Sequence, residues 1–493
     1  MAIVDNMPTK ICMHPPFGAA IYIKKPLYLF CNQWSLLSIF FIAIWLTGCA
    51  SIPDSKQTLE ELNAQAQTIE VVGAKKPLPR GKINKVLKNL SPDERIRTSL
   101  AEHLRIEQAI AGNSLYADNK VTLLFNGEDT FSRMRSALES AKQHIHLEYF
   151  TFEDVDLGGI TLKALLLDRL SKGVNVHIIY DAIGSISTPP ELFDTLKKAG
   201  AKITVFHPVN ADSITLINQR DHRKIMVVDG NVAILGGVNL SKTYQSKGSL
   251  RFFSKQKLPE LNQVDWRDTD IQITGPVVAN IQQVFLEHWD AAQPLDQASF
   301  FPPLSKQGEQ FVRVIATPAT KRKNTDSPYY LTLVAAIENA ESHIVLNSAY
   351  FVPTEAQEDA LVAAAERGVK ISLLVPSMSD SILAINVQRS HYARLLKHGV
   401  EIYEMQDQIL HAKMISIDGV WSVIGSSNFD YRSAGINAEI DVVILDNQTA
   451  KNLENRFQED LKNAKKIELQ EWQKRSLWQR LKQQSARIFE DIL

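Results

Sequence analysis

The apolar positions change period repeatedly along residues 91–206, from the three-to-four spacing of a helix to the alternation of a strand and back. Ser91-Pro92-Asp93-Glu94 sets a serine N-cap, a proline at the first helical position and a glutamate at the third. It predicts a helix that ends before Gly112-Asn113. A strand is expected near 121–125, a helix to about 142, and a strand over 144–152. A helix from about Gly159 stops at Gly173, a strand follows over 174–181, a helix from about Glu191 stops at Gly200, and a strand runs over 201–206. The glycines stand where a helix end asks for positive φ. Strand alternating with helix argues a layered α/β lobe.

The pattern then recurs. Residues 136–150 (SALESAKQHIHLEYF) lie beside 335–350 (AAIENAESHIVLNSAY), and Ser171-Lys172-Gly173-Val174 beside Glu366-Arg367-Gly368-Val369. Lys198-Ala199-Gly200-Ala201 likewise matches Lys397-His398-Gly399-Val400, so the α/β unit is duplicated. The expected lobes are 114–300 and 311–465, joined through a linker around 293–310 that carries Pro294, Pro302 and Pro303. Residues 49–113 read as a tether and an N-terminal helix, with 51–88 lacking sustained periodicity. Residues 466–493 read as a basic amphipathic helix, in which Lys474, Arg475, Arg480, Lys482 and Arg487 accompany Leu477, Trp478, Leu481 and Ile488. It suits a membrane interface or packing on a lobe equally. The same two readings, solvated loop or head-group contact, hold for the basic, aromatic stretch 241–258.

One polar pattern is also used twice. His222, Lys224 and Asp229 repeat as His411, Lys413 and Asp418, and each copy runs on through a glycine to an asparagine, Asn239 or Asn428. In both copies 17 positions separate histidine from asparagine. Residues two apart on a strand face together, and Asp229-Gly230 and Asp418-Gly419 have the composition of hairpin turns. The return strands then bring each asparagine back to its histidine, so an imidazole, an ammonium and a carboxamide converge from each half. Such a set suits a phosphate ester, with two lysines and two asparagines aimed at non-bridging oxygens. One histidine attacks phosphorus while the other protonates the departing alcohol and deprotonates the incoming one. The lysines carry the positive charge, so no cofactor and no metal is called for. Asp229 and Asp418 read as turn formers. Glu439 and Asp268 are the candidates for orienting the histidines, as a buried carboxylate bonded to one ring nitrogen leaves the other free to react.

Charge narrows the partners. The chain of 493 residues carries 54 Lys and Arg against 55 Asp and Glu, so no broad basic surface draws it to nucleic acid. Its three cysteines, Cys12, Cys31 and Cys49, all precede residue 50 and leave the body without a thiolate nucleophile. Lys24 and Lys25 precede the apolar run 36–46, which ends in Leu46-Thr47-Gly48-Cys49. This is the order of a secretory signal. Leu-Thr-Gly-Cys resembles the lipobox of bacterial lipoproteins, which makes 1–48 a signal peptide and Cys49 the lipidated first residue. Ala50 and Ser51, with no aspartate, then favour the outer membrane, facing the periplasm. An uncleaved anchor in the inner membrane is the alternative.

Both motif copies match in full the HKD motif of the phospholipase D superfamily, H-x-K-x4-D with a following G-[GS]-x-N. From about 118 to 457 the chain resembles bacterial cardiolipin synthases, through HRKIMVVDG, GGVN, WRDTD, SAYFVP and GSSNFDYRSAGINAE. The resemblance implies two tandem α-β-α lobes in a pseudo-symmetric monomer, one active site between them, and a phosphohistidine intermediate. It implies His222 as nucleophile, His411 as general acid and base, Lys224, Lys413, Asn239 and Asn428 on the phosphoryl group, and Glu439 on the second histidine. The implied activity moves a phosphatidyl group from a phospholipid to phosphatidylglycerol at a membrane surface, with phosphatidylethanolamine a further substrate. The other readings are hydrolysis to phosphatidic acid, a phosphodiesterase or nuclease, and a catalytically silent lipid-binding lipoprotein.

Overall fold

The computed structural model describes residues 55–65, 68–209, 216–245, 264–303, 305–319 and 327–492. The expected signal segment with Cys49, and most of the basic stretch 241–258, lie outside the described residues.

The motif strands are apolar on both faces, as strands sandwiched between helices must be. In Lys224–Val228, Ile225 and Val227 face one core while Met226 and Val228 face another, and all are buried. The alternation continues through both halves and, among the described residues, yields one sheet of 16 strands in place of two separate lobes. Outward from its middle, the first half runs Leu115–Phe125, Thr269–Thr274, Val232–Gly236, Lys224–Val228, His144–Tyr149, Asn175–Asp181 and Lys202–Phe206. The second half repeats that order as Gln310–Thr317, Glu439–Leu445, Trp421–Gly425, Met414–Ile417, His343–Asn347, Lys370–Pro376 and Glu401–Met405, with Ala464–Lys466 added at the edge. Leu115–Phe125 and Gln310–Thr317 pair antiparallel, Val312 opposite Tyr116, so the seam is the axis of an approximate two-fold.

One face of the whole sheet shares a single apolar core, in which Ile225, Leu235 and Ile271 meet Ile424, Ile440 and Val442 under helices Val278–His288 and Asn447–Leu461. On the opposite face each half keeps its own core. Helix Pro328–Glu338 lies over the second half, and the N-terminal segment covers it in turn. Residues 51–88 are therefore not a bare tether. Helices Ser55–Gln65 and Arg80–Leu90 form there, Val71–Val72 pairs with Leu115 and Tyr116, and Leu59, Val71, Ile83 and Leu87 are buried. The following helix, Glu94–Ala111, is capped by Asp93, whose side chain accepts from the Arg95 N–H, and not by Ser91, which ends the helix before it. Its Glu107 is buried against the seam, with Oε1 2.6 Å from Arg313 Nη1 and Oε2 accepting from Trp421 Nε1 at 2.9 Å. Such a pair, buried on both sides, holds only while both partners remain.

The two motif turns are matching left-handed pairs, with φ of 51° and 61° at Asp229-Gly230 and 54° and 66° at Asp418-Gly419. These are the values of a two-residue hairpin turn. Each carboxylate also caps the start of the neighbouring strand. Asp229 accepts from the backbone N–H groups of Lys142, Gln143 and His144, and Asp418 from those of Glu341, Ser342 and His343. Replacing either aspartate by Ala is expected to lower stability by about 1–3 kcal/mol, read by chemical denaturation, because three donors lose a charged acceptor. An unchanged midpoint would mean that the turn holds without its carboxylate.

Candidate active site

The open ends of the two motif hairpins meet at the seam. His222 and His411 each precede their strand, and each is tied by its backbone to the opposite half. His222 N–H donates to Ala438 O at 2.9 Å and His411 N–H to Arg267 O at 2.8 Å. The residues after those carbonyls, Glu439 and Asp268, then aim their carboxylates at the imidazoles. His222 Nδ1 lies 3.0 Å from Glu439 Oε2, and His411 Nδ1 lies 2.6 Å from Asp268 Oδ2. Glu439 thus serves the first histidine and Asp268 the second, which corrects the expectation that Glu439 positions His411. The cause is the seam: both acids open strands beside the two-fold axis and reach across it. With Nδ1–H held by a carboxylate, Nε2 is the nitrogen left to react.

The acids have unequal surroundings. Glu439 accepts from Ser426 Oγ at 2.5 Å and from Ser433 Oγ at 2.9 Å. At the position matching Ser426 stands Gly237, where an added Cβ would fall 2.1 Å from Asp268 Oδ1. Asp268 takes Tyr244 OH instead, at 3.2 Å, and the same hydroxyl lies 2.9 Å from His411 Nδ1. One residue pair was not singled out from the sequence. Asp270 accepts from Val238 N–H at 3.0 Å and Asp441 from Ser427 N–H at 3.2 Å, fixing the two turns that carry the asparagines. The sequence carries the signal as a repeated acid-x-acid, Asp268-Thr269-Asp270 and Glu439-Ile440-Asp441, and strand pairing sets the two in matching registers. Burial pushes both Asp270 and Asp441 up to about 8, so they hold the turns as neutral acids.

Lys224 and Lys413 are buried, and each Nζ donates to the carbonyl of its own motif histidine. Burial brings the Lys224 ammonium down to about 8, against the pull of Glu439 and with the help of Lys413. His411 falls to about 4 through burial and the Lys413 charge, with Asp268 opposing. His222 is lowered too, by burial first and by both lysines, with Glu439 opposing. Asn239 Oδ1 accepts from Thr151 N–H at 3.1 Å, and Asn428 Oδ1 is buried without a partner among the described residues. His222 and Asn428 line a cavity of about 350 Å³ with Phe150, Tyr350, Arg220 and Arg432, walls drawn from both halves. A neutral imidazole on that wall, with a second imidazole and two lysines buried at the seam, provides a nucleophile, a proton carrier and a seat for an oxyanion.

Among the described residues, Glu148, Asp221 and His288 bring metal-type ligand atoms within 4.8 Å of one another. A cation's place there is already taken. His288 Nδ1 lies 2.7 Å from Glu148 Oε1, and Arg223 Nη1 lies 3.7 Å from the same oxygen. The cluster braces Asp221, the neighbour of His222, from behind.

Residues 134–249 and 333–461 match the family model described as "Cardiolipin synthase, PLD-like domain". The probable cardiolipin synthase YwiE of Bacillus subtilis is 31% identical over 379 residues, 76% of this chain and 72% of its own length. The cardiolipin synthase of Geobacillus kaustophilus is 32% identical over 406 residues, 80% of this chain and 78% of its own. The crystal structure of phosphatidylserine synthase from Haemophilus influenzae superposes with a TM-score of 0.58 at 12% identity, covering 76% of this chain and 95% of that one, a likeness of fold.

Burial first, and then the lysine charges, hold the histidines low, and an anion entering between Lys224 and Lys413 offsets the second of these. Its binding is expected to take up a proton at neutral pH, read by titration calorimetry of tungstate in buffers of different ionisation heat. Affinity should then fall as pH rises through about 8, where Lys224 loses its proton. Affinity that is flat from neutral to alkaline pH would remove the lysines from the anion seat.

Proposed function

The chain belongs to the cardiolipin synthase family of phospholipase D-like proteins, and we propose that it transfers a phosphatidyl group to the free glycerol hydroxyl of phosphatidylglycerol through a phosphohistidine. The observation that supports this is the crossed pairing, in which each imidazole has Nδ1 fixed by a carboxylate of the other half beside a buried lysine. His222 Nε2 attacks phosphorus, the bond to the departing alcohol breaks, and His411 delivers the proton that alcohol takes. The acceptor hydroxyl then gives its proton back to His411 and displaces the His222 nitrogen, which restores the enzyme. Lys224, Lys413, Asn239 and Asn428 hold the non-bridging oxygens as charge builds on them. A neutral His222 is the form that attacks. His411 must carry a proton, and the arriving phosphodiester anion lifts it toward that state. His222 takes the nucleophile's role because it, and Asn428 across the seam, form part of the cavity wall.

The family sets the protein at a membrane. Among the described residues no helix is long and apolar enough to cross one. The lipid-modified Cys49 supplies the anchor in this reading, and labelling with a radioactive fatty acid is expected to mark the parent chain and to miss Cys49→Ala. Equal labelling of both would end the lipoprotein assignment.

Leaving groups separate the two histidines. On phosphatidylglycerol vesicles, His222→Ala and His411→Ala are each expected to lose cardiolipin formation by on the order of 100- to 10,000-fold. A nitrophenyl phosphodiester needs little protonation of its leaving group. With it, His411→Ala and Asp268→Asn should still form the covalent adduct on His222 but fail to turn over, while His222→Ala forms none. Adduct in His222→Ala and none in His411→Ala would exchange the roles. Phosphatidic acid as the product, with no cardiolipin at any phosphatidylglycerol concentration, would make water the acceptor.

A further inference from the structure

The C-terminal helix Leu477–Ala486 opens on a capping box of Ser476 and Gln479 and lies against helix Ile382–Lys397. Its inner face is Gln483 and Ala486, continued by Glu490, all buried. Ala486 packs in a small apolar cluster with Val352 and Val387, joined by Leu383 and Tyr431. Val352 is itself a wall of the active-site cavity. The C-terminal helix therefore stands on the outside of that wall.

The opposite face is apolar and uncovered. Leu477, Trp478, Leu481 and Ile488 are 82%, 74%, 58% and 65% exposed. Residues 477, 481 and 488 fall four and seven apart, on one side of a helix, turned away from 483, 486 and 490. Arg480 and Lys482 flank this stripe, one on each side, and Lys474 and Arg487 are exposed outside the two ends of the helix. No acidic residue lies between Glu471 and Glu490. Two further exposed apolar side chains stand beside cavity-lining residues in the chain. Ile382, 66% exposed, stands between Ser381 and Ala384, which line the cavity with Ile183, and Ile186, 73% exposed, follows Ile183 by three residues.

We propose that this face, made of the Leu477, Trp478, Leu481 and Ile488 stripe with Ile186 and Ile382, docks on an anionic lipid bilayer and sets the cavity mouth at headgroup depth. Apolar side chains enter the acyl boundary while the flanking arginine and lysine reach the phosphates, which is how a basic amphipathic helix lies in an interface. The packing of Ala486 on Val352 makes the docked helix and the cavity wall one rigid piece. A phospholipid then enters headgroup first without leaving the bilayer. The inference rests on the reading of the site as one that acts on bilayer phospholipids.

The test uses the full chain, with residues 1–49 the same in every variant, on two substrates. One is phosphatidylglycerol in mixed vesicles with phosphatidylcholine, the other dihexanoyl phosphatidylglycerol kept monomeric. The double substitution Trp478→Ser with Leu481→Ser is expected to raise the half-saturating vesicle lipid concentration by about tenfold or more. Turnover of the monomeric lipid should stay unchanged. Arg480→Glu with Lys482→Glu should give a similar rise that shrinks as salt is added. Hydrogen exchange over 477–488 should slow when anionic vesicles are present, which reads docking without activity. Vesicle kinetics equal to the parent's, equal loss on both substrates, or protection that depends on protein concentration and not on vesicles would each overturn the docking face. A parent chain that turns over neither lipid would sink the transferase reading instead, and the exchange measurement would still report on docking.

Discussion

Everything about the site depends on two carboxylates that cross the seam. Glu439 orients His222 and Asp268 orients His411, so neither half contains a working histidine of its own. The requirement explains why the sheet is continuous. A carboxylate must be held within a few tenths of an ångström of its imidazole to fix a tautomer, and two lobes free to rock would not hold it. Pairing of Leu115–Phe125 with Gln310–Thr317, the shared core beneath both halves and the buried Arg313 and Glu107 pair give that rigidity.

The same burial creates the site's electrostatic problem. Two lysines, His411 and four acids lie almost without solvent around the seam, and His222 is largely covered beside the cavity. The acids nearest the imidazoles stay ionised, because the histidine and lysine beside each outweigh its desolvation. Asp270 and Asp441, two residues further in, are pushed up to about 8 and serve as neutral acceptors for the asparagine turns. One charged and one neutral acid per half balance the two lysines while the imidazoles are neutral, so an arriving phosphodiester adds a negative charge that favours protonation of a histidine.

Much of this was legible because local rules agree with the global fold. The duplicated H-x-K, the Asp-Gly turns and the glycine stops depend on a few adjacent residues, and the φ values at Asp229-Gly230 and Asp418-Gly419 show why those types stand there. What depended on distant partners was not legible. Residues 55–65 have few apolar positions and the helical spacing of Ile83, Val86, Leu87 and Leu90 covers only two turns, so both helices are stabilised by a surface that includes Leu333 and Ile337, more than 240 positions away. Ser91 looked like an N-cap by spacing, yet Asp93 sits closer to the free N–H groups and brings a full charge. Which acid serves which histidine is set by a two-fold axis, a property of the paired halves that no local stretch of chain contains.

The repeat is not faithful where chemistry would benefit from a difference. Glu439 has two serine hydroxyls donating to it, whereas Asp268, one methylene shorter, takes a tyrosine hydroxyl and presses against a glycine that admits no side chain. Donors that stabilise a carboxylate weaken its hold on a shared imidazole proton. Burial and the lysines nonetheless hold both imidazoles low, His411 to about 4, so what the unequal acids set is how each ring is held. His411 has a closer partner at 2.6 Å and a second contact at the same nitrogen, Tyr244 OH at 2.9 Å. An imidazole so held can take up and release a proton without turning, which is the demand on the histidine that serves leaving alcohol and incoming alcohol in succession. Two equivalent histidines would compete for both tasks, and unequal supports from opposite halves separate them.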